Sequence, residues 1–372
     1  MLYLFNSAFR PLYAANNLNT LSLPTGSTNE YRYRYTGDSR NISADFYSSL
    51  RNLDSGHQCV LIFIDRFAEG GYRYHPLRFA KFVLLRQESD YVFFRVQFSD
   101  YVYPRDLSIF NRDLVDALRS KGLPVLTDND PSTAHDGFYA IQSASIFGDT
   151  NLFEAGDRAW LSAVDGLVST RAYRTDDEQS PVFTRVVVKE KASTVPVTPR
   201  LRDGMGVFAL KKGKMYDLVI SYRYPRQRID QSARSAVKIN CDSNLRLLGQ
   251  SSLNIDSNSN SLALSFVSVR YLEDTTGSIA LAVADPMERP NVLLTGASIP
   301  YEITEPIDFW VKIAIALVVL SAVNALMAVD WSVLHPFSIS ALVHAARLKF
   351  LLGGIQSLIL FWAFRLIGEK IF

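Results

Sequence analysis

Hydrophobic and polar positions change their rhythm along this chain, and each rhythm predicts a different kind of element. In the first ~105 residues the period is two. Tyr31-Arg32-Tyr33-Arg34-Tyr35 alternates strictly, which places three aromatic rings on one face of a strand and two guanidinium groups on the other. Cys59–Ile64 is an unbroken apolar run between Gly56 and Asp65, the pattern of a strand covered on both faces. Phe79–Leu85 and Tyr91–Phe98 read as further strands joined by the polar turn Gln87-Glu88-Ser89-Asp90, and Tyr101-Val102-Tyr103 as a short one. The rhythm then becomes helical. Leu107, Phe110, Leu114 and Leu118 recur at helix spacing behind Asp106 or Ser108 as cap, and Gly122 marks the stop.

Between 123 and 200 the pattern weakens. Phe138–Ile141 and Val182–Lys189 suggest strands, Ala159–Val168 a short helix or strand, and Ala192–Pro199 an extended connector. From 205 onward the period is two again. A hairpin is expected from Val207–Leu210 through the turn Lys211–Lys214 to Tyr216–Tyr222. Strands are expected at Ala236–Cys241, Leu245–Leu248, Leu262–Tyr271 and Ser278–Ala284. Short strands at roughly ten-residue spacing point to a β-sandwich, with the immunoglobulin type as candidate. The Cys–Trp–Cys signature of antibody domains is missing, since no Trp lies between 161 and 309. Pro286, Pro290, Pro300 and Pro306 read as a stiff connector beyond it.

The last rhythm is no alternation at all. Ile313–Val329 contains no charged residue, and neither does Phe350–Phe364. A membrane-crossing helix needs about 20 mostly apolar residues. The first run reaches that length if Lys312 snorkels to the interface, the second only by continuing past Arg365. The amphipathic stretch Asp330–Lys349 between them reads as an interfacial helix. The fold class expected is therefore mainly β with some α: a β-rich α+β domain over 1–195, a β-sandwich over 200–300, and a transmembrane hairpin over 307–372. Both runs could instead be core helices of a helical subdomain.

Charge refines this picture. The net charge is +2, with 39 Lys and Arg against 37 Asp and Glu. The tail from 307 takes five basic and three acidic residues, so the preceding body is neutral. A neutral body argues against a general phosphate-binding surface but permits a local patch. The opening Met1–Phe5 is too short, and lacks the basic start, for a secretory signal, so the body is expected in the cytosol. Basic residues flanking the spans lean weakly the same way: the orientation expected is an inner-membrane protein with body and C-terminus cytoplasmic. Cys59 and Cys241 form neither a disulfide framework nor a metal site and read as buried thiols.

Candidate chemistry is sparse. An aromatic–basic element occurs as Tyr31–Tyr35, as Tyr72-Arg73-Tyr74-His75-Pro76, and as Tyr222-Arg223-Tyr224-Pro225 with Arg226 and Arg228 following. Aromatic rings beside guanidinium groups can stack bases and hold phosphates, which makes Arg32, Arg34, Arg73, His75, Arg78, Arg223, Arg226 and Arg228 the candidate ligand-binding residues. The plainer account is that Tyr and Arg occupy the two faces of edge strands. His75 with Asp65, Arg66 and Arg78 near Gly70-Gly71 has no evident nucleophile or metal ligand beside it. The acidic loop 128–137 fails the calcium-loop pattern, with Thr133 in place of glycine and Tyr139 in place of glutamate. Gly204-Met205-Gly206 lacks the third glycine of a dinucleotide fingerprint. In the apolar runs Asn324 and Gln356 are polar groups that favour helix–helix association.

These observations predict a non-enzymatic, membrane-anchored recognition protein: a sensor, adaptor or scaffold needing no cofactor and no metal. Its expected partners are the lipid bilayer and a protein or a second copy of itself, with nucleic acid behind them. An alternative is a membrane-perturbing effector of a prokaryotic defence-type system, triggered through the N-terminal domain. That alternative rests on general layout alone.

Overall fold

The computed structural model describes residues 1–7, 11–37, 42, 47–48, 53–66, 72–120, 140–142, 147, 152–170, 181–191, 193, 195–224, 236–255, 259–269, 276–284, 296–304, 315–324, 347, 350–354 and 356–358. Its elements run β1 (Leu2–Ser7), α1 (Pro11–Ser22), β2 (Thr28–Arg34), β3 (Gln58–Arg66), β4 (Tyr72–Glu88), β5 (Tyr91–Tyr101), β6 (Tyr103–Pro104), α2 (Leu107–Ser120), β7 (Ala140–Gln142), β8 (Phe153–Glu154), α3 (Gly156–Val168) and β9 (Val182–Glu190). They continue β10 (Arg200–Arg202), β11 (Met205–Lys211), β12 (Met215–Arg223), β13 (Ala236–Cys241), β14 (Leu245–Leu247), β15 (Ser252–Asn254), β16 (Ser259–Ser268), β17 (Thr276–Ala284) and β18 (Gly296–Thr304). The chain is mainly β with some helix. By backbone contacts it divides into a unit of Met1–Ala209, Met215–Val267 and Gly277–Tyr301, and a unit of Leu210–Lys214, Ser268–Thr276 and Glu302–Phe372.

In the first unit a six-stranded sheet has the order β2-β5-β4-β3-β1-β7. Strand β1 runs parallel to β3, whereas β3–β4, β4–β5 and β2–β5 are antiparallel. The apolar run of β3 is explained by two cores. Val60, Ile62 and Ile64 pack with Phe110, Leu114 and Leu118 of α2 and with Phe147. Phe63 packs with Leu18 and Leu21 of α1 and Ala159, Ala163 and Leu167 of α3. Helix α2 begins where the sequence placed it. Asp106 accepts from the backbone N–H of Ser108 at 2.8 Å and of Ile109 at 3.1 Å, which satisfies two orphan donors of the first turn.

Two further sheets have the orders β10-β11-β18-β17-β13-β15 and β14-β16-β12-β9. Alternate residues are buried along β12, with Tyr216, Leu218, Ile220 and Tyr222 inside, and along β17, with Ile279, Leu281 and Val283 inside. The hairpin expected from β11 to β12 does not form: the two strands belong to different sheets, because each pairs with a partner remote in sequence. The expected connector near 196 is itself bonded, Val197 N–H donating to Val188 O at 2.8 Å. Pro300 lies inside β18 instead of in a connector.

In the second unit residues 315–324 are helical, as are 350–354 and 356–358. Among the described residues no helix is long and apolar enough to cross a membrane. Residues 305–314, 325–346 and 359–372, which hold most of the expected hairpin, lie outside the described residues.

Candidate functional site

The sequence candidates fall into three environments. The first is the core itself. Arg78 on β4 is fully buried and makes a set of charge-assisted bonds. Its Nε donates to Ser99 O at 2.7 Å, Nη1 to Leu23 O at 2.6 Å and Thr20 O at 3.1 Å, and Nη2 to Thr25 Oγ1 at 2.8 Å. The guanidinium carbon sits 4.1 Å from the Tyr101 ring centroid and 5.0 Å from that of Phe98. Burial depresses its pKa, and the surrounding carbonyl oxygens supply the polarity that water no longer gives. Arg78 is occupied in holding the end of α1 and offers nothing to a ligand.

His75 lies on the same strand, opposite Phe63, and is 2% exposed. Its Nδ1 lies 3.2 Å from the Tyr103 hydroxyl, and Nε2 meets no hydrogen-bond partner among the described residues. Gly166 of α3 lies against the pair: a Cβ there would run into the Tyr103 hydroxyl and approach His75 Nδ1 to 3.1 Å. Burial, with a smaller effect from Arg73, lowers the His75 pKa to about 3. Burial raises that of Tyr103 to about 12, with Arg73 opposing and Asp165 and Glu154 adding to the rise. At neutral pH both groups are uncharged and shielded from solvent. The pair packs under α3, buried from solvent and with neither pKa near neutrality, where general acid–base catalysis works best.

The second environment is the rim of that pair. Arg73 is exposed, with its strand register opposite Asp65. Arg223 at the end of β12 forms an ion pair with Asp165 of α3. Arg185 on β9 pairs with Asp157 at 3.1 Å and lies over Trp160 at 4.9 Å. Arg223 and Arg185 join α3 to the four-stranded sheet. Arg226 and Arg228 lie outside the described residues, as do the Gly70-Gly71 turn and the acidic loop.

The third environment is the outward face of the six-stranded sheet, met at its Thr28 end by the β10–β11 hairpin, where Gly206 N–H donates to Thr28 Oγ1 at 2.9 Å. On β2 the alternation does what the sequence predicted: Tyr31 and Tyr33 are buried, while Arg32 and Arg34 point the other way. The cross-strand registers continue that outward set into rows, Glu30 beside Arg95, Arg32 beside Phe93 and Arg86, and Arg34 beside Tyr91 and Glu88. The Arg86 guanidinium lies 4.0 Å from the Phe93 centroid and that of Arg32 lies 4.6 Å from the Tyr91 centroid. Glu30 bridges Arg86 at 2.9 Å and Arg95 at 3.1 Å. Arg34 approaches Asp90 to 3.7 Å. Tyr91, Phe93 and Arg95 on β5 and Arg86 on β4 are not evident from the sequence, because only the fold reveals that β5 lies between β2 and β4. The alternation Tyr91-Val92-Phe93-Phe94-Arg95 was the available signal.

In the second unit Asn324 is exposed on the helical stretch that also carries Leu317 and Ser321, and Gln356 is half-buried. No group of His, Cys, Asp and Glu suited to a metal ion occurs among the described residues.

No family model matches the chain, and no curated protein matches it. Among solved structures, the N-terminal domain of PorA aligns at 11% identity over 32% of this chain and 97% of that one, with a TM-score of 0.18. The extracellular domain of a putative one-component system from B. thetaiotaomicron aligns at 10% identity over 66% of this chain and 37% of that one, with a TM-score of 0.20. At such TM-scores neither likeness bears on fold or function.

Proposed function

We propose that this chain is a membrane-anchored recognition protein without catalytic activity, acting as sensor, adaptor or scaffold at the inner membrane. Its β-rich body, with a β-sandwich as the second part, faces the cytoplasm, and its C-terminal apolar runs enter the bilayer as a hairpin. The observation that supports this is the surface of the tail. Ile315, Leu317 and Val318 are 56%, 58% and 68% exposed on one helical stretch, and Phe350 is 87% exposed on another. Large apolar side chains exposed this closely along one helix fit contact with lipid or protein better than contact with water. The ten helical residues 315–324 span about 15 Å, half of a hydrocarbon core, and the uncharged sequence continues to Val329.

Asn324 and Gln356 are the helix-association residues of this reading. An amide in hydrocarbon gains by pairing with another helix, either within the hairpin or in a second copy. The test is fractionation of cells expressing the full chain, with an alkaline carbonate wash of the membranes. The protein is expected to stay in the washed pellet and to need detergent for release. The Ile315→Asp, Val318→Asp double variant is expected to move to the soluble fraction. Wild type recovered soluble and monodisperse without detergent would overturn the proposal.

A further inference from the structure

The outward face of β2, β5 and β4 carries four arginines, Arg32, Arg34, Arg86 and Arg95, against two glutamates, Glu30 and Glu88, with Asp90 in the adjoining turn. Two aromatic rings, Tyr91 and Phe93, occupy successive outward positions of the middle strand of this trio. Both rings are half-buried, and each already has a guanidinium group against it. Glu30 and Glu88 are engaged with Arg86 and Arg95. Arg32 differs from its neighbours: among the described residues it has no carboxylate in ion-pair range, and its buried Nε has no acceptor.

We propose that this face binds single-stranded nucleic acid. Two rings about 7 Å apart along one strand offer two stacking positions, and sequence-tolerant stacking on such rings is how open sheets hold unpaired bases. Arg32 and Arg34, on the neighbouring edge strand, supply positive charge beside both rings for the intervening phosphates. A strand fits better than a free nucleotide, because small-molecule sites are concave pockets and these residues lie in cross-strand rows along an antiparallel sheet. The neutral body is no obstacle, since the excess of positive charge is local to these rows.

The experiment is fluorescence anisotropy of a short labelled single-stranded oligonucleotide, DNA and RNA in turn, with the detergent-solubilised full chain across a salt series. Wild type is expected to bind at low salt. Phe93→Leu is expected to weaken binding about tenfold, and the Arg32→Gln, Arg34→Gln pair to flatten the log–log salt slope by about 1.4. Arg86→Gln, on an exposed side chain, is the variant whose folding is safest and is expected to weaken binding as well. No binding by wild type, or binding unchanged in all three variants, overturns the proposal. Equal displacement by an acidic polypeptide would also overturn it and assign the face to a protein partner. Attachment to membranes is read separately by fractionation, so this site and the membrane reading fail independently.

Discussion

Arg78 donates through Nη1 to the carbonyl oxygen of Leu23 at 2.6 Å, joining the middle of β4 to the residue that follows α1. The bond matters because a helix C-terminus buried without donor partners leaves orphan carbonyl groups. Here one guanidinium group serves the carbonyl groups of Thr20 and Leu23 and reaches across to Ser99 on β5. Replacement by Met keeps volume but takes this donor from the Thr20 and Leu23 carbonyl groups, whereas Ser99 O keeps the Thr25 hydroxyl at 3.2 Å. Arg78→Met is expected to cost about 2 kcal/mol or more in urea unfolding, since each buried unsatisfied group costs about 1–3 kcal/mol. Arg78→Lys should recover only part of that, because a single ammonium cannot reproduce the planar fork. A cost under about 1 kcal/mol for Met would refute the clamp.

His75 makes folding pH-dependent in a defined direction. Its folded pKa is lowered to about 3 by burial, below the unfolded value of 6.5. Between those values the unfolded chain takes up a proton that the folded chain refuses. Stability from this group is therefore complete above the unfolded pKa and falls as pH drops toward 3. Going from pH 7 to 5.5 should cost about 1 kcal/mol. His75→Gln should remove this slope, and an identical profile in wild type and variant would disprove the assignment.

Gly166 is required by contact, not by backbone freedom. Alanine would ordinarily favour a helix interior by about 1 kcal/mol. At 166 its Cβ would run into the Tyr103 hydroxyl, so Gly166→Ala should destabilise the protein despite the better propensity. Tyr103→Phe removes the obstructing oxygen. The double variant should lose less than the sum of the singles, and strict additivity in the cycle would rule out the clash.

The ion pair between Arg223 and Asp165 joins β12 to α3 but is half-exposed on both sides. Such pairs contribute about 0–1 kcal/mol, so Arg223→Ala should change stability by less than about 1 kcal/mol and by still less at high salt. A larger loss would show that this arginine carries structure in the way Arg78 does.

Asn324 tests the membrane-perturbing alternative. If paired membrane helices act on the bilayer through this amide, cells expressing wild type should lose membrane potential when the system is triggered. Asn324→Leu should spare them while leaving the protein in the membrane fraction. Equal, harmless expression of both would remove that alternative.

The alternation at Tyr31–Tyr35, the apolar run Cys59–Ile64, the Asp106 cap with its Leu107–Leu118 stripe, and the turn at Gln87–Asp90 were all legible in the sequence. Each is a local pattern enforced by a strand or helix period. Helix α1 was not legible. Asn16, Asn17, Thr20 and Ser22 are buried there, and polar residues in a core look like loop until their partners are known. The Thr20 hydroxyl, for instance, bonds to Asn16 O and to the Tyr31 hydroxyl. The same limit governed the candidate sites. Arg78 and Arg32 carry the same side chain, yet the fold makes one a sealed structural cation and leaves the other half-exposed on the outer face of the sheet.

Spacing along the chain is enough to place the strands and helices with strong periods and the uncharged apolar runs of the tail. The parting of β11 and β12 into different sheets, the burial of His75 beneath α3 and the shared surface of Arg32, Arg86, Tyr91 and Phe93 emerge with the folded chain. Strand pairing and burial depend on residues tens of positions apart, and local spacing carries no record of those contacts.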